Sequence, residues 1–354
     1  MTTSSPHVRP HSPWRDDGAP PWEQLRKMVT GGWAAITIHA VARLGVADLL
    51  VDGPRTAAEL AESTGTHENT LYRFLRAAAA LGVFAEREDG RFDLTPLAEY
   101  LRSDVPGTLR YIAYFFGETT VWNSYGHVME TLRTGEPMGP KLRDGRSWFD
   151  YLEDHPEYSE VFNKAMTTVG EAGVAKIADT YDFGRFSVVA DVGGGQGRLL
   201  SAILQRHPEV QGILFDIPAA VESAAGMLEA HQVAGRVERV AGSFFERVPL
   251  GADVYLMKAI LHDWDDSDCA DILRRIRRAL DDKPDGRLVL VECVVPPLNE
   301  WHYSKLMDIS MLVNLGGKER TLEEWRSLLA SAGFELTSAV RTAEPHYVIE
   351  GRPC

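Results

Sequence analysis

Ser187-Val188-Val189-Ala190-Asp191-Val192-Gly193-Gly194-Gly195-Gln196-Gly197-Arg198 decides the fold of this 354-residue chain. The β-branched run at its start predicts a strand. Arg198-Leu199-Leu200-Ser201-Ala202-Ile203-Leu204, which follows, has helical patterning. The glycines between them suit a tight turn that lets backbone approach a ligand closely, and positive φ is open mainly to glycine. The spacing is G-x-G-x-G, and Arg198 stands where a dinucleotide fingerprint places its last glycine or alanine.

Outward from this turn, Asp216 closes a second apolar run, Gln211-Gly212-Ile213-Leu214-Phe215-Asp216. An acid at the tip of the second strand can accept hydrogen bonds from both ribose hydroxyls, so the order strand, glycine turn, helix, strand, acid predicts a nucleoside crevice. Further strand-like runs are Val237–Val240, Val254–Met257 and Leu288–Glu292, alternating with helices. The expected fold class is α/β, a Rossmann-like doubly wound sheet. Phe334–Val340 and His346–Glu350 predict a C-terminal hairpin.

Upstream, Thr56 and Glu59 form a capping box, and Thr66–Leu81 reads as a helix with Leu71, Phe74, Leu75 and Ala78 on one face. Val83–Leu94, with Asp89-Gly90 at its turn, reads as a hairpin. Together these make a mainly helical winged-helix domain. The expected organisation is a mobile tail over 1–20, the winged-helix domain over 21–106, a helical substrate-lining linker over 107–182 and the Rossmann-like domain over 183–354.

Gly242-Ser243-Phe244, Lys258-Ala259-Ile260-Leu261-His262-Asp263-Trp264, Leu288–Glu292 and Gly316-Gly317-Lys318-Glu319-Arg320-Thr321 complete the set of motifs. From about Trp22 to the C-terminus the chain resembles S-adenosylmethionine-dependent O-methyltransferases of the caffeate, isoflavone and antibiotic-tailoring type. That resemblance implies roles by position. Asp191, Gly193, Gly195 and Gly197 would approach S-adenosylmethionine and its product S-adenosylhomocysteine. Asp216 would hold the ribose, Phe244 would flank the adenine, and Lys258 would contact the cofactor. Ser243 departs from the aspartate many relatives carry against the adenine edge. His262 would be the general base, with Glu292 and Glu319 flanking and orienting its imidazole. Phe162, Met166, Met307, Met311 and Asn314 match pocket positions in relatives, and methionine and aromatic side chains suit a flat aromatic substrate. The resemblance also implies a homodimer paired through the N-terminal domain, and the hairpin as an antiparallel edge of the sheet.

The chemistry asks for such residues. A phenol with a pKa near ~10 is mostly protonated at neutral pH, and a histidine can take its proton as the phenolate forms. A carboxylate on the other ring nitrogen fixes tautomer and orientation.

Composition sets bounds. Net charge is −14, from 37 basic and 51 acidic residues, which opposes nucleic-acid binding. The winged helix raises a DNA-binding regulator as a competing reading, yet the segment His67–Arg76 offers only Arg73 and Arg76 as full cations. Cys269, Cys293 and Cys354 show no metal or disulfide spacing and fit a reducing, cytoplasmic setting. Asp263, Asp265, Asp266 and Asp268 read as a solvated helix start, so no metal is expected. No apolar run reaches membrane-spanning length. Two further enzymatic readings stay open: the same fold turned to hydroxylation or decarboxylation, and a nicotinamide oxidoreductase.

Overall fold

A computed structural model describes residues 18–171, 173–342 and 345–354. The expected tail, up to residue 17, lies outside them. The chain divides into two compact units. One runs to Val128 and resumes over Gly139–Val169; the other takes Met129–Met138 and Gly170–Cys354.

In the first unit, Arg55–Thr56 (β1), Phe84–Glu86 (β2) and Arg91–Leu94 (β3) pair antiparallel in the order β1-β3-β2. Helices Ala57–Thr64 and Glu68–Ala80 precede the β2–β3 hairpin, giving the winged-helix order. Thr56 Oγ1 accepts the Glu59 amide at 3.2 Å, and Glu59 returns the bond to the Thr56 amide at 2.7 Å. Such a cap is worth about 1 kcal/mol. The second helix starts at Glu68 and not at Thr66, because His67 caps it by accepting the Thr70 amide. Leu60, Leu71, Leu75, Ala78 and Phe92 are buried in one core. Trp22, Leu25, Val29 and Trp33, on helices Pro21–Val29 and Gly31–Arg43, stay largely exposed.

In the second unit, seven strands form one sheet: Val188–Val192 (β4), Gln211–Asp216 (β5), Val237–Ala241 (β6), Val254–Lys258 (β7), Arg287–Cys293 (β8), Phe334–Arg341 (β9) and His346–Pro353 (β10). The order is β6-β5-β4-β7-β8-β10-β9. Strands β4 to β8 are parallel, and β10 pairs antiparallel with both β8 and β9. The hairpin therefore inserts its second strand into the sheet, and β9 forms the edge. Helices on both faces bury the central strands as two apolar clusters, one containing Ala190, Phe215 and Met257, the other Val189, Leu214 and Leu256. Strand order reverses between β4 and β7, which opens a crevice at their carboxyl ends. Every motif singled out between Asp191 and Lys258 lies at those ends. No helix among the described residues is long and apolar enough to cross a membrane.

Candidate active site

The turn after β4 takes positive φ at Gly193 (72°), Gly195 (56°) and Gly197 (76°). These glycines do different work. A Cβ on Gly193 would lie 2.6 Å from Ile260 Cδ1, so that position is set by packing. A Cβ on Gly195 would meet nothing within 4 Å: its backbone faces open space. The Gly195 amide donates to Asp216 Oδ2 at 2.8 Å, and the Ile217 amide donates to Oδ1 at 2.7 Å. Two amides thus fix the Asp216 carboxylate at the tip of β5 and leave further lone pairs for a ligand. Burial raises its pKa while these amides pull it down.

Asp191 is 2% exposed. Burial and the nearby Asp216 charge lift its pKa to about 7, against the pull of Lys258 and the Leu200 amide. Burial lowers the pKa of Lys258 at the end of β7, opposed by Glu292 and Asp191. Ser243 Oγ accepts the Phe245 amide at 3.2 Å, a local turn bond. Phe244 lies 6.2 Å from Trp264, and Phe245 lies 4.6 Å from it, both edge to face.

Beyond β7 the chain turns sharply. Ala259 takes φ 52°, a left-handed conformation unusual for a residue with a Cβ. The turn aims the Ile260 and Leu261 amides at Glu292 Oε1, at 3.0 and 2.9 Å. Glu292, fully buried at the end of β8, thus anchors the backbone beside His262, while its charge also acts on the imidazole. Burial raises its own pKa to about 7.

His262 sits in the short 3-10 turn Leu261–Asp263. Its Nδ1 donates to Glu319 Oε1 at 2.7 Å, and its Nε2 lies 3.5 Å from Asp263 Oδ1. Burial lowers its pKa, but Asp263, the Glu319 bond and the Glu292 charge outweigh that and raise it to about 10. Asp263 is drawn to about 6, burial raising it and His262 holding it down. Glu319 is 3% exposed and so is no solvated loop charge. Its own amide donates to Asp308 Oδ1 at 2.8 Å. A Cβ on Gly317 would fall 2.1 Å from the His262 carbonyl oxygen, and the Lys318 amide donates to that oxygen at 2.9 Å. The two loops therefore meet backbone to backbone, which only glycine permits.

Three of the four acids after His262 take distinct roles. Asp265 caps helix Asp266–Ala279 by accepting the Asp268 amide, Asp266 pairs with Arg320, and Asp263 stands beside the imidazole. Among the described residues no group of three His, Cys, Asp or Glu side chains has metal-binding geometry. Met307, Met311 and Asn314 lie on helix Ser304–Asn314, where Asn314 Nδ2 donates to the Ser310 carbonyl. Phe162 and Met166 lie on helix Pro156–Glu171 of the first unit, Phe162 against Phe115, Trp148 and Phe149. Sequence reasoning missed Arg320, Asp308 and Gly317. Gly317 and Arg320 stand in the quoted motif Gly316–Thr321, where only Glu319 is given a role.

The glycine turn with its fixed Asp216 and the His262–Glu319 pair thus stand on loops that follow strands of one α/β sheet. The O-methyltransferase domain family matches residues 125–335, and the O-methyltransferase dimerisation domain family matches 27–104. The chain belongs to the S-adenosylmethionine-dependent O-methyltransferases. It is 41% identical over 329 residues to the phenazine O-methyltransferase PhzM of Lysobacter antibioticus, covering 93% of this chain and 95% of that protein. Among solved structures, LaPhzM superposes with a TM-score of 0.90 at 41% identity, covering 95% of this chain and 100% of that one. The O-methyltransferase NcsB1 from neocarzinostatin biosynthesis, solved with S-adenosylmethionine and 2-hydroxy-5-methyl naphthoic acid, gives 0.80 at 32% identity, covering 91% and 96%.

Proposed function

We propose that the protein moves a methyl group from S-adenosylmethionine to a phenolic hydroxyl of a small aromatic compound of secondary metabolism, with His262 as general base. The observation that carries this reading is the part-buried His262–Glu319 bond just after β7, next to the strand that bears the glycine turn. The residues present fit the cofactor: open backbone at Gly195, a fixed acid at Asp216 and the aromatic ring of Phe244. When bound, the sulfonium supplies an electrophilic methyl group.

The chain's own residues place and move a proton. Glu319 holds Nδ1 as a donor, which leaves Nε2 to face the acceptor hydroxyl. With a pKa of about 10, His262 is an imidazolium at neutral pH in the free enzyme. A second positive charge nearby disfavours that form. A positive group held beside the imidazole would favour the neutral state of His262, in which Nε2 accepts the hydroxyl proton. Asp263, 3.5 Å from Nε2, balances the imidazolium that results.

The exposed Trp22, Leu25, Val29 and Trp33 support homodimerisation through the first unit, since large apolar patches mark association surfaces. Product mass from the protein incubated with S-adenosylmethionine and a panel of hydroxylated naphthoates and phenazines tests the reaction. A gain of one methyl group is expected. Binding of NADH in place of S-adenosylhomocysteine, or a product without added methyl, overturns the reading.

A further inference from the structure

Arg320 has no place in the reading above, yet it is fully buried. A guanidinium carries five N–H hydrogens in a rigid plane. Here each one is used. Nε donates to Asp266 Oδ1 at 2.8 Å. One terminal nitrogen donates to the carbonyls of Leu261 and Lys318, both at 3.0 Å. The other donates to the Trp264 carbonyl at 3.0 Å and to Cys269 Sγ at 3.5 Å. The indole of Trp325 packs against the plane, 5.1 Å from its centre to the guanidinium carbon.

The identity of these acceptors matters more than their number. Leu261 and Trp264 flank His262 and Asp263. Lys318 immediately precedes Glu319. One buried cation therefore grips the backbone on both sides of the imidazole and beside the carboxylate that tethers it. Cys269 reinforces one side, its Sγ donating to the Leu261 carbonyl at 3.1 Å. The guanidinium plane runs between two loops far apart in sequence. The charge costs free energy to bury, and its acidic partner, Asp266, is largely exposed at the other side. A residue needed only for packing would not require five polar acceptors arranged around a charge.

We propose that Arg320 is a positioning residue that sets the His262–Glu319 pair through the backbone of both partners, which deepens the reading of His262 as the base and rests on it. Lysine, with three donors on one nitrogen, cannot satisfy five acceptors in a plane. Asp266→Asn leaves the guanidinium in place but removes its charge partner.

The test follows the imidazole itself in the full-length protein saturated with S-adenosylhomocysteine. Histidine is labelled with nitrogen-15, and the His262 signals are assigned by their loss in His262→Gln. Their titration is compared in wild type, Arg320→Lys and Asp266→Asn, with S-adenosylhomocysteine affinity measured by calorimetry. Arg320→Lys is expected to move the His262 midpoint toward its ordinary value by about one pH unit or more. Affinity for S-adenosylhomocysteine should stay within about threefold, less than the tenfold of 1.4 kcal/mol. Asp266→Asn should shift the midpoint the same way by less. An unmoved midpoint in folded Arg320→Lys overturns the proposal. If Arg320→Lys does not fold, Asp266→Asn decides: a shift supports positioning, and no shift reduces Arg320 to a fold residue. The titration reads no turnover. Failure of the wild type to transfer methyl would overturn the base assignment without touching this result.

Discussion

Glu319 Oε1 accepts the Nδ1 hydrogen of His262 at 2.7 Å, although the two residues stand 57 positions apart. The bond joins the loop after β7 to the loop before helix Leu322–Ser331, and it leaves a single imidazole nitrogen for chemistry. The first expected outcome concerns that nitrogen. His262→Ala should bind S-adenosylhomocysteine nearly as wild type while methyl transfer falls by about 10²–10⁴-fold, the usual worth of a general base. Turnover that survives in this variant would remove His262 from the mechanism.

The second concerns pH. His262 must be neutral to act, and its free-enzyme pKa is raised to about 10 by Asp263 and Glu319 against the effect of burial. Activity should therefore rise with pH above neutrality. The kcat/KM profile reports the free enzyme and kcat the bound one, so the kcat limb should lie at lower pH if a positive charge held beside His262 would favour its neutral form. Glu319→Gln removes a negative partner and should move both limbs down. A pH-independent rate from 6 to about 10 would contradict this assignment.

The third sets two glycines against each other. Gly195→Ala places its methyl in open space at φ 56°, so the fold should survive with a strain of about 1–2 kcal/mol, and calorimetry should show S-adenosylhomocysteine binding weakened tenfold or more. Gly317→Ala drives a Cβ to 2.1 Å from the His262 carbonyl. It should spare cofactor binding and abolish transfer. Identical phenotypes would show that crevice and base are not separable parts.

The fourth is thermodynamic. Asp191 ionises at about 7 in the folded protein and at 3.8 as an unperturbed group. A carboxyl raised in this way binds its proton more tightly folded than unfolded, so stability falls as pH climbs from about 4 to 7 and levels off above. Asp191→Asn should reduce the difference in melting temperature between these limits in the ligand-free protein. Part of the fall should remain, because Glu292 and Asp263 are raised for the same reason. A fall of unchanged size in the variant would exclude a buried, high-pKa Asp191.

Much of the architecture was legible because it rests on local periodicity. Val188–Val192 has the bounds its β-branched residues imply, and the capping box at Thr56 opens a helix as its spacing requires. What escaped depends on contacts between distant segments. Glu292 reads as an imidazole partner, since its position at the end of a strand is evident while its side-chain direction is not. In the fold, two backbone amides from across 31 and 32 residues reach it first. Asp263 reads as solvated because helix-start acids usually are, yet the turn half-buries it beside His262. Arg320 is invisible in a run of charges, because only tertiary structure closes Leu261, Trp264 and Lys318 around it.

The position of β10 carries a consequence for assembly of the sheet. The strand that lies between β8 and β9 is the last of the sheet to emerge during synthesis. Until His346–Pro353 arrives, β8 presents a free edge and β9 has nothing to pair with. A chain cut short before His346 would thus lose two strands for the length of one, and would expose the row of unpaired backbone groups that recruits other strands. Such a product should accumulate as aggregate, although Asp191 to Arg320 would all be present within it.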